Sequence, residues 1–148
     1  MPAVPEEKQV FEFFRIWLLV VTGAAAVAGA IGVLIVGTPL FALINPLIDR
    51  AFWATAPDAA TRRFQAWSYG VMFAVLAGWG MCMAMLVANA FATRQAWVWW
   101  SIAGSVALWF PLDTGRSLYH RVWANAAGNA ALLALLAIPL IGTFSDFH

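Results

Sequence analysis

Residues 16–48 read IWLLVVTGAAAVAGAIGVLIVGTPLFALINPLI, 33 positions without one Asp, Glu, Lys or Arg. A membrane span needs about 20 apolar residues, and a helix rising about 1.5 Å per residue would carry this run far past a hydrocarbon core about 30 Å thick. The run must therefore break. Gly37-Thr38-Pro39 is the place, because proline lacks a donor and disfavours helix in the residue before it. This predicts a first span over 13–36, after a polar arm over 1–12 in which Pro2 and Pro5 oppose helix. Beyond the break, Leu40, Phe41, Ile44, Leu47, Ile48 and Phe52 recur at helical spacing while Asn45, Asp49 and Arg50 lie elsewhere. Asn45-Pro46 reads as a cap and first helical residue. The segment 40–53 reads as a short helix lying at the membrane interface, or as a re-entrant piece packed into the bundle.

Three further uncharged stretches follow: 64–93, 95–112 and 122–145. They give spans over 65–91, 96–112 and 122–141. The fold expected is an all-α integral membrane protein, an antiparallel four-helix transmembrane bundle forming a single domain over 1–148. Composition agrees: 64% of residues are hydrophobic and 10% charged, against about 25% charged in soluble domains. No length remains for a separate soluble domain of ordinary size. The net charge of +1 gives no electrostatic case for nucleic acid. The single cysteine, Cys82, excludes an intramolecular disulfide, and its apolar surroundings read as core. The N-terminal flank is acidic and the apolar run after it is long, so it reads as a retained span and not a signal peptide.

Small residues dominate these spans. Ala25 and Gly29, Ala28 and Gly32, and Gly70, Ala74 and Gly78 each stand four apart, a spacing that lets a neighbouring helix approach closely. Met81, Met83 and Met85 alternate around their helix and read as packing. Trp97, Trp99 and Trp100 open the third span, and Trp109 and Phe110 close it near Pro111, marking the two bilayer faces. Lys8, Arg15 and Arg94 fall on the side of the termini; Arg50, Arg62, Arg63, Arg116 and Arg121 fall on the other. The positive-inside rule then places both termini outside.

Polar groups gather where spans one and three end and spans two and four begin. If helix continues past Pro111, then Asp113, Arg116, Ser117 and His120 share a face. Asn125 and Asn129 follow on one face of span four, and Asn45, Asp49 and Tyr69 belong at the same level. Asp113, Arg116, His120, Asn125 and Asn129 are the candidate ligand-binding residues, since ionisable groups at membrane depth suggest a function. The bland alternative pairs Asp113 with Arg116 and uses the asparagines as interhelical glue.

Sharper chemistry is not encoded. Asp113-Thr114-Gly115 copies an aspartic-protease tripeptide without its second loop, and the two histidines sit outside the spans, where no bis-imidazole haem can form. Two His and one Cys are too scattered for zinc, and no phosphate-cradling glycine loop occurs. No catalytic residue, metal or cofactor is expected. The four-span plan, with an interfacial segment after span one and polar groups at one end, resembles small bacterial membrane proteins of the DoxX-like kind. That likeness is architectural and transfers no site residue. The expected function is that of a non-enzymatic accessory or scaffold protein of a bacterial inner membrane. Its partners are the bilayer and other membrane helices, or copies of itself, met through Gly/Ala faces. One alternative is a binder of a lipid, isoprenoid or quinone-like molecule; another is a proton-coupled transporter or channel using Asp113 and His120.

Overall fold

A computed structural model describes residues 6–148; the reading of Pro2 and Pro5 lies outside them. No strand occurs among the described residues. The elements are α1 (Glu6–Ile35), α2 (Pro39–Ala42), α3 (Asn45–Phe52), α4 (Ala59–Asn89), α5 (Ala96–Tyr119) and α6 (Trp123–Gly142), with single 3-10 turns at Phe91–Thr93 and Phe144–Asp146. α1 starts within the expected polar arm: Glu6 and Glu7 occupy its first turn, where carboxylates favour the helix dipole, and Glu12 pairs with Arg15 one turn on. It ends at Ile35, and the chain turns through Gly37 at φ +82°, a conformation that favours glycine.

The segment expected as one helix over 40–53 is two. α2 closes after one turn, and Ile44, not Asn45, caps α3, with Pro46 in its first turn. Proline there has no donor to close onto α2, so the helices cannot merge. α4 begins at Ala59, earlier than the expected 65, because Asp58 caps it: its carboxylate accepts from the Thr61 N–H at 2.8 Å. α5 runs through Pro111 to Tyr119 and does not stop at 112. Pro111 and Ala107, whose carbonyl loses its usual donor, both lie on an exposed face, where a helix can tilt a free carbonyl outward.

Three helices, α1, α4 and α6, are long and apolar enough to cross a membrane by length and composition. α5 is long enough at 24 residues but less apolar, since tryptophans, serines and Asp113 interrupt it. α1 packs along α4 and α6, and α5 packs along α6. Backbones touch on the α1–α4 seam: a Cβ on Gly29 would lie 2.5 Å from the Ala77 nitrogen, and one on Gly80 would lie 2.5 Å from the Ala26 nitrogen. The seam thus uses Thr22, Ala26 and Gly29 against Phe73, Ala77 and Gly80. Of the expected face of Gly70, Ala74 and Gly78, only Gly70 is half-buried, beside Val36; Ala74 and Gly78 are exposed.

The core lies toward the end that carries the termini. Leu18, Val87, Phe91, Val98, Ile102 and Leu136 are all but sealed. Phe91 sits between Phe11 and Phe147, at 5.8 and 4.7 Å between ring centroids. Arg94 lies 4.2 Å above the Phe11 ring and pairs with Asp146 at 3.0 Å. Trp99 is a core residue rather than a headgroup marker: its indole N–H donates at 2.9 Å to the Leu140 carbonyl near the end of α6, which the Thr143 hydroxyl also reaches at 3.3 Å. Met83 is buried while Met81 and Met85 face outward, as does Cys82, which is no part of the core.

Candidate functional site

At the opposite end, where α1 and α5 finish and α4 and α6 begin, the sequence concentrates its polar side chains, and the fold sorts them into three groups. The first is built on α5 and α6. Continued helix past Pro111 puts Trp109, Asp113 and Ser117 on one face at steps of four. The Asp113 carboxylate accepts from the Trp109 indole at 3.1 Å and the Asn125 amide at 2.8 Å, while the Ser117 hydroxyl donates to the Asp113 backbone carbonyl at 2.9 Å and lies 3.3 Å from the carboxylate. Asn125 also donates to Ser117 at 2.8 Å. One turn further along α6, the buried Asn129 donates to the Thr114 hydroxyl at 3.2 Å. Asp113 is held by neutral donors, and among the described residues no cation lies within ion-pair distance of it. The local Asp113–Arg116 pair does not form.

The second group takes the other two candidates. Arg116 donates to His120 at 3.2 Å on an exposed surface, and its guanidinium lies 5.7 Å from the Tyr119 ring. His120 also packs against Phe52 at the end of α3, 5.4 Å between ring centres. Asp113, Asn125 and Asn129 therefore converge between α5 and α6, while Arg116 and His120 point to separate surroundings.

The third group was not singled out as a site by sequence reasoning. Asp49 of α3 meets Arg62 of α4 at 2.6 Å and accepts from Gln65 at 3.0 Å. Arg62 donates to the Gln65 carbonyl at 3.1 Å, and the Gln65 amide reaches the Tyr69 oxygen at 3.5 Å. Gln65 is only 6% exposed, which makes it the centre of the group. A signal was present: Arg62, Gln65 and Tyr69 stand three and four apart, a polar stripe entering an apolar run. Phe41 packs on Tyr69 and Phe73 and fixes α2 against the same face. Between this stripe and the Gly37–Ala42 turn lies a cleft of about 450 Å³.

Among the described residues, every buried side-chain nitrogen and oxygen has a hydrogen-bond partner, and no group of three metal-ligating side chains occurs. The groups can thus fix helices, or present donors at the end of the bundle. No protein-family model, curated protein or solved structure matches this chain.

Proposed function

We propose that this chain is an integral membrane protein whose four long helices cross a bacterial inner membrane, and that it works by packing against other membrane helices, not by catalysis. α5 counts as the fourth span on this reading because most polar groups along it are paired inside the fold, the Ala107 carbonyl freed by Pro111 and the exposed Trp100 indole being exceptions. Trp99 donates to Leu140, Ser101 to the Trp97 carbonyl, Ser105 to the Ile102 carbonyl and Trp109 to Asp113. Lipid can surround a helix whose polar groups are paired in this way. α2 and α3 then lie at the interface, with Leu40, Leu43, Leu47 and Phe52 outward, and the arginine-rich end faces the cytoplasm, leaving the termini outside.

One observation carries the scaffold reading: the fold uses only part of its small-residue surface. Gly29, Gly32, Gly80 and Gly142 are closed against neighbours, whereas a Cβ on Gly23, Gly78, Gly104 or Gly128 would meet no heavy atom within 4 Å. Open small-residue positions on all four helices are what a second set of helices needs for close approach. Ligand binding or proton transfer at Asp113 draws less support, because its carboxylate already accepts from the Trp109 indole and the Asn125 amide. Extraction in mild detergent followed by native mass measurement tests the proposal. A complex with itself or another membrane protein, lost in Gly104→Leu and Gly128→Leu variants, is the expected result. A strictly monomeric, partner-free particle refutes it.

A further inference from the structure

We infer that the cleft between the Gly37–Ala42 turn and the start of α4 binds the phosphate ester headgroup of an anionic membrane lipid. The inference rests on the membrane reading above and adds a ligand to it. The volume of about 450 Å³ lies in the range of small-ligand sites. The lining is mostly apolar, and a few polar side chains are set into it. Arg63 is exposed, borders the cleft and takes part in none of the ion pairs. Asn45 borders it with an amide that makes no protein hydrogen bond. Tyr69 borders it too, and its hydroxyl, reached by the Gln65 amide at 3.5 Å, donates to no other group among the described residues. No carboxylate lines the cleft; Asp49 stands behind it, taken up by Arg62 and Gln65. Uncommitted donors of three kinds with one uncompensated positive charge suit a multi-oxygen anion.

The source of that anion follows from position. The cleft sits at the end of α1 and the start of α4, the level at which headgroups lie if these helices span. This end holds Arg50, Arg62, Arg63, Arg116 and Arg121 against Asp49, Asp58 and Asp113, five charges to three. Anionic lipids of a cytoplasmic leaflet favour such an end. Phe64 and Trp67, both exposed and 5.8 Å apart beside Arg63, offer an aromatic contact at the same height.

The test titrates the full chain in neutral detergent micelles with dioctanoyl-phosphatidylglycerol and counts bound lipid by native mass spectrometry. Dioctanoyl-phosphatidylcholine and glycerol 3-phosphate serve as the zwitterionic and soluble arms. Preferential binding of phosphatidylglycerol is expected. It should fall about fivefold in Arg63→Gln, the effect of one basic residue near a lipid surface, fall also in Ala42→Trp, which fills the cleft without changing charge, and hold in Arg50→Gln, which removes the same charge at the same end outside it. Equal losses in Arg50→Gln and Arg63→Gln, no loss in Arg63→Gln, or equal competition by glycerol 3-phosphate would each overturn the site. A micellar chain without lipid preference removes the lipid site alone. A chain dispersed in plain buffer removes the membrane reading, and the site with it.

Discussion

Replacing Gly29 by alanine adds one carbon where the backbones of α1 and α4 already touch. That carbon would stand 2.5 Å from the Ala77 nitrogen and 2.7 Å from the Phe73 carbonyl oxygen, whereas ordinary contact begins at 3.4 Å. Neither neighbour is a side-chain tip that can swing away, so the helices must part by roughly 0.9 Å. A gap of about 0.5–1 Å forfeits a quarter to a half of each dispersion well it opens, and α1 meets α4 along most of its length. Overpacking of this kind costs about 1–3 kcal/mol. Gly80→Ala should cost a similar amount, since its Cβ meets the Ala26 nitrogen at 2.5 Å. The two sites share one seam, so the double variant should lose less than the sum of the singles. Gly23→Ala and Gly78→Ala meet nothing within 4 Å and should be neutral, or gain up to about 1 kcal/mol from helix propensity. Unfolding in mixed micelles with rising sodium dodecyl sulfate, followed by helical circular dichroism, measures all five. If Gly29→Ala proves as stable as Gly23→Ala, backbone contact is not what holds α1 to α4.

Three further outcomes are expected. Asp113→Ala strands the Trp109 indole and leaves the Asn125 amide with Ser117 alone, at a cost of about 1–3 kcal/mol in the same unfolding assay; a stability equal to wild type would show that these bonds are replaced at no cost. Trp99→Phe removes the bond to the Leu140 carbonyl and should lose about 0.5–1.5 kcal/mol beyond any loss in the exposed Trp100→Phe, a difference that a matched pair of melts resolves. Asp58 should titrate below the ordinary aspartate range, chiefly because its carboxylate accepts the Thr61 backbone N–H. A carboxyl lowered by folding stabilises the helix start above its unfolded pKa, and that contribution is lost as pH falls through the lower folded value. Carbon-13 NMR of the labelled carboxyl checks the direction, and a value at or above the ordinary range would remove the cap.

The apolar runs made the helices legible, since charge-free stretches of span length leave few alternatives. They did not show which face of a helix turns inward. Gly70, Ala74 and Gly78 carry the same spacing signal as the seam that forms, and only the partner's shape, with Phe73 lying over Gly32 and Gly80 under Ala26, selects the neighbouring face. Pro111 left open whether the helix ends or continues through a kink, and packing of α5 on α6 carries it through to Tyr119, past the expected boundary at 112. The reading of four apolar spans met a fourth helix whose hydrophobicity is diluted by indoles that bond internally. At the polar end, the spacing along α5 put Asp113, Arg116, Ser117 and His120 in one group, and the fold divides it: Asp113 and Ser117 meet Asn125 of α6, while Arg116 and His120 turn elsewhere, a split that depends on where α6 arrives. The Asp49–Arg62 pair joins two elements across 13 positions, and no helical periodicity spans that distance.

Phe147 is buried against both Phe11 and Phe91, so a ring near the start of α1 is packed by one that follows α6. During synthesis the seam between α1 and α4 can close once residue 89 is available, but the aromatic plug at the other end must wait until residue 147 leaves the ribosome. Until then Phe11 and Phe91 have each other and Arg94 but not Phe147 to cover them, and a helper that shields nascent apolar surface has its window there.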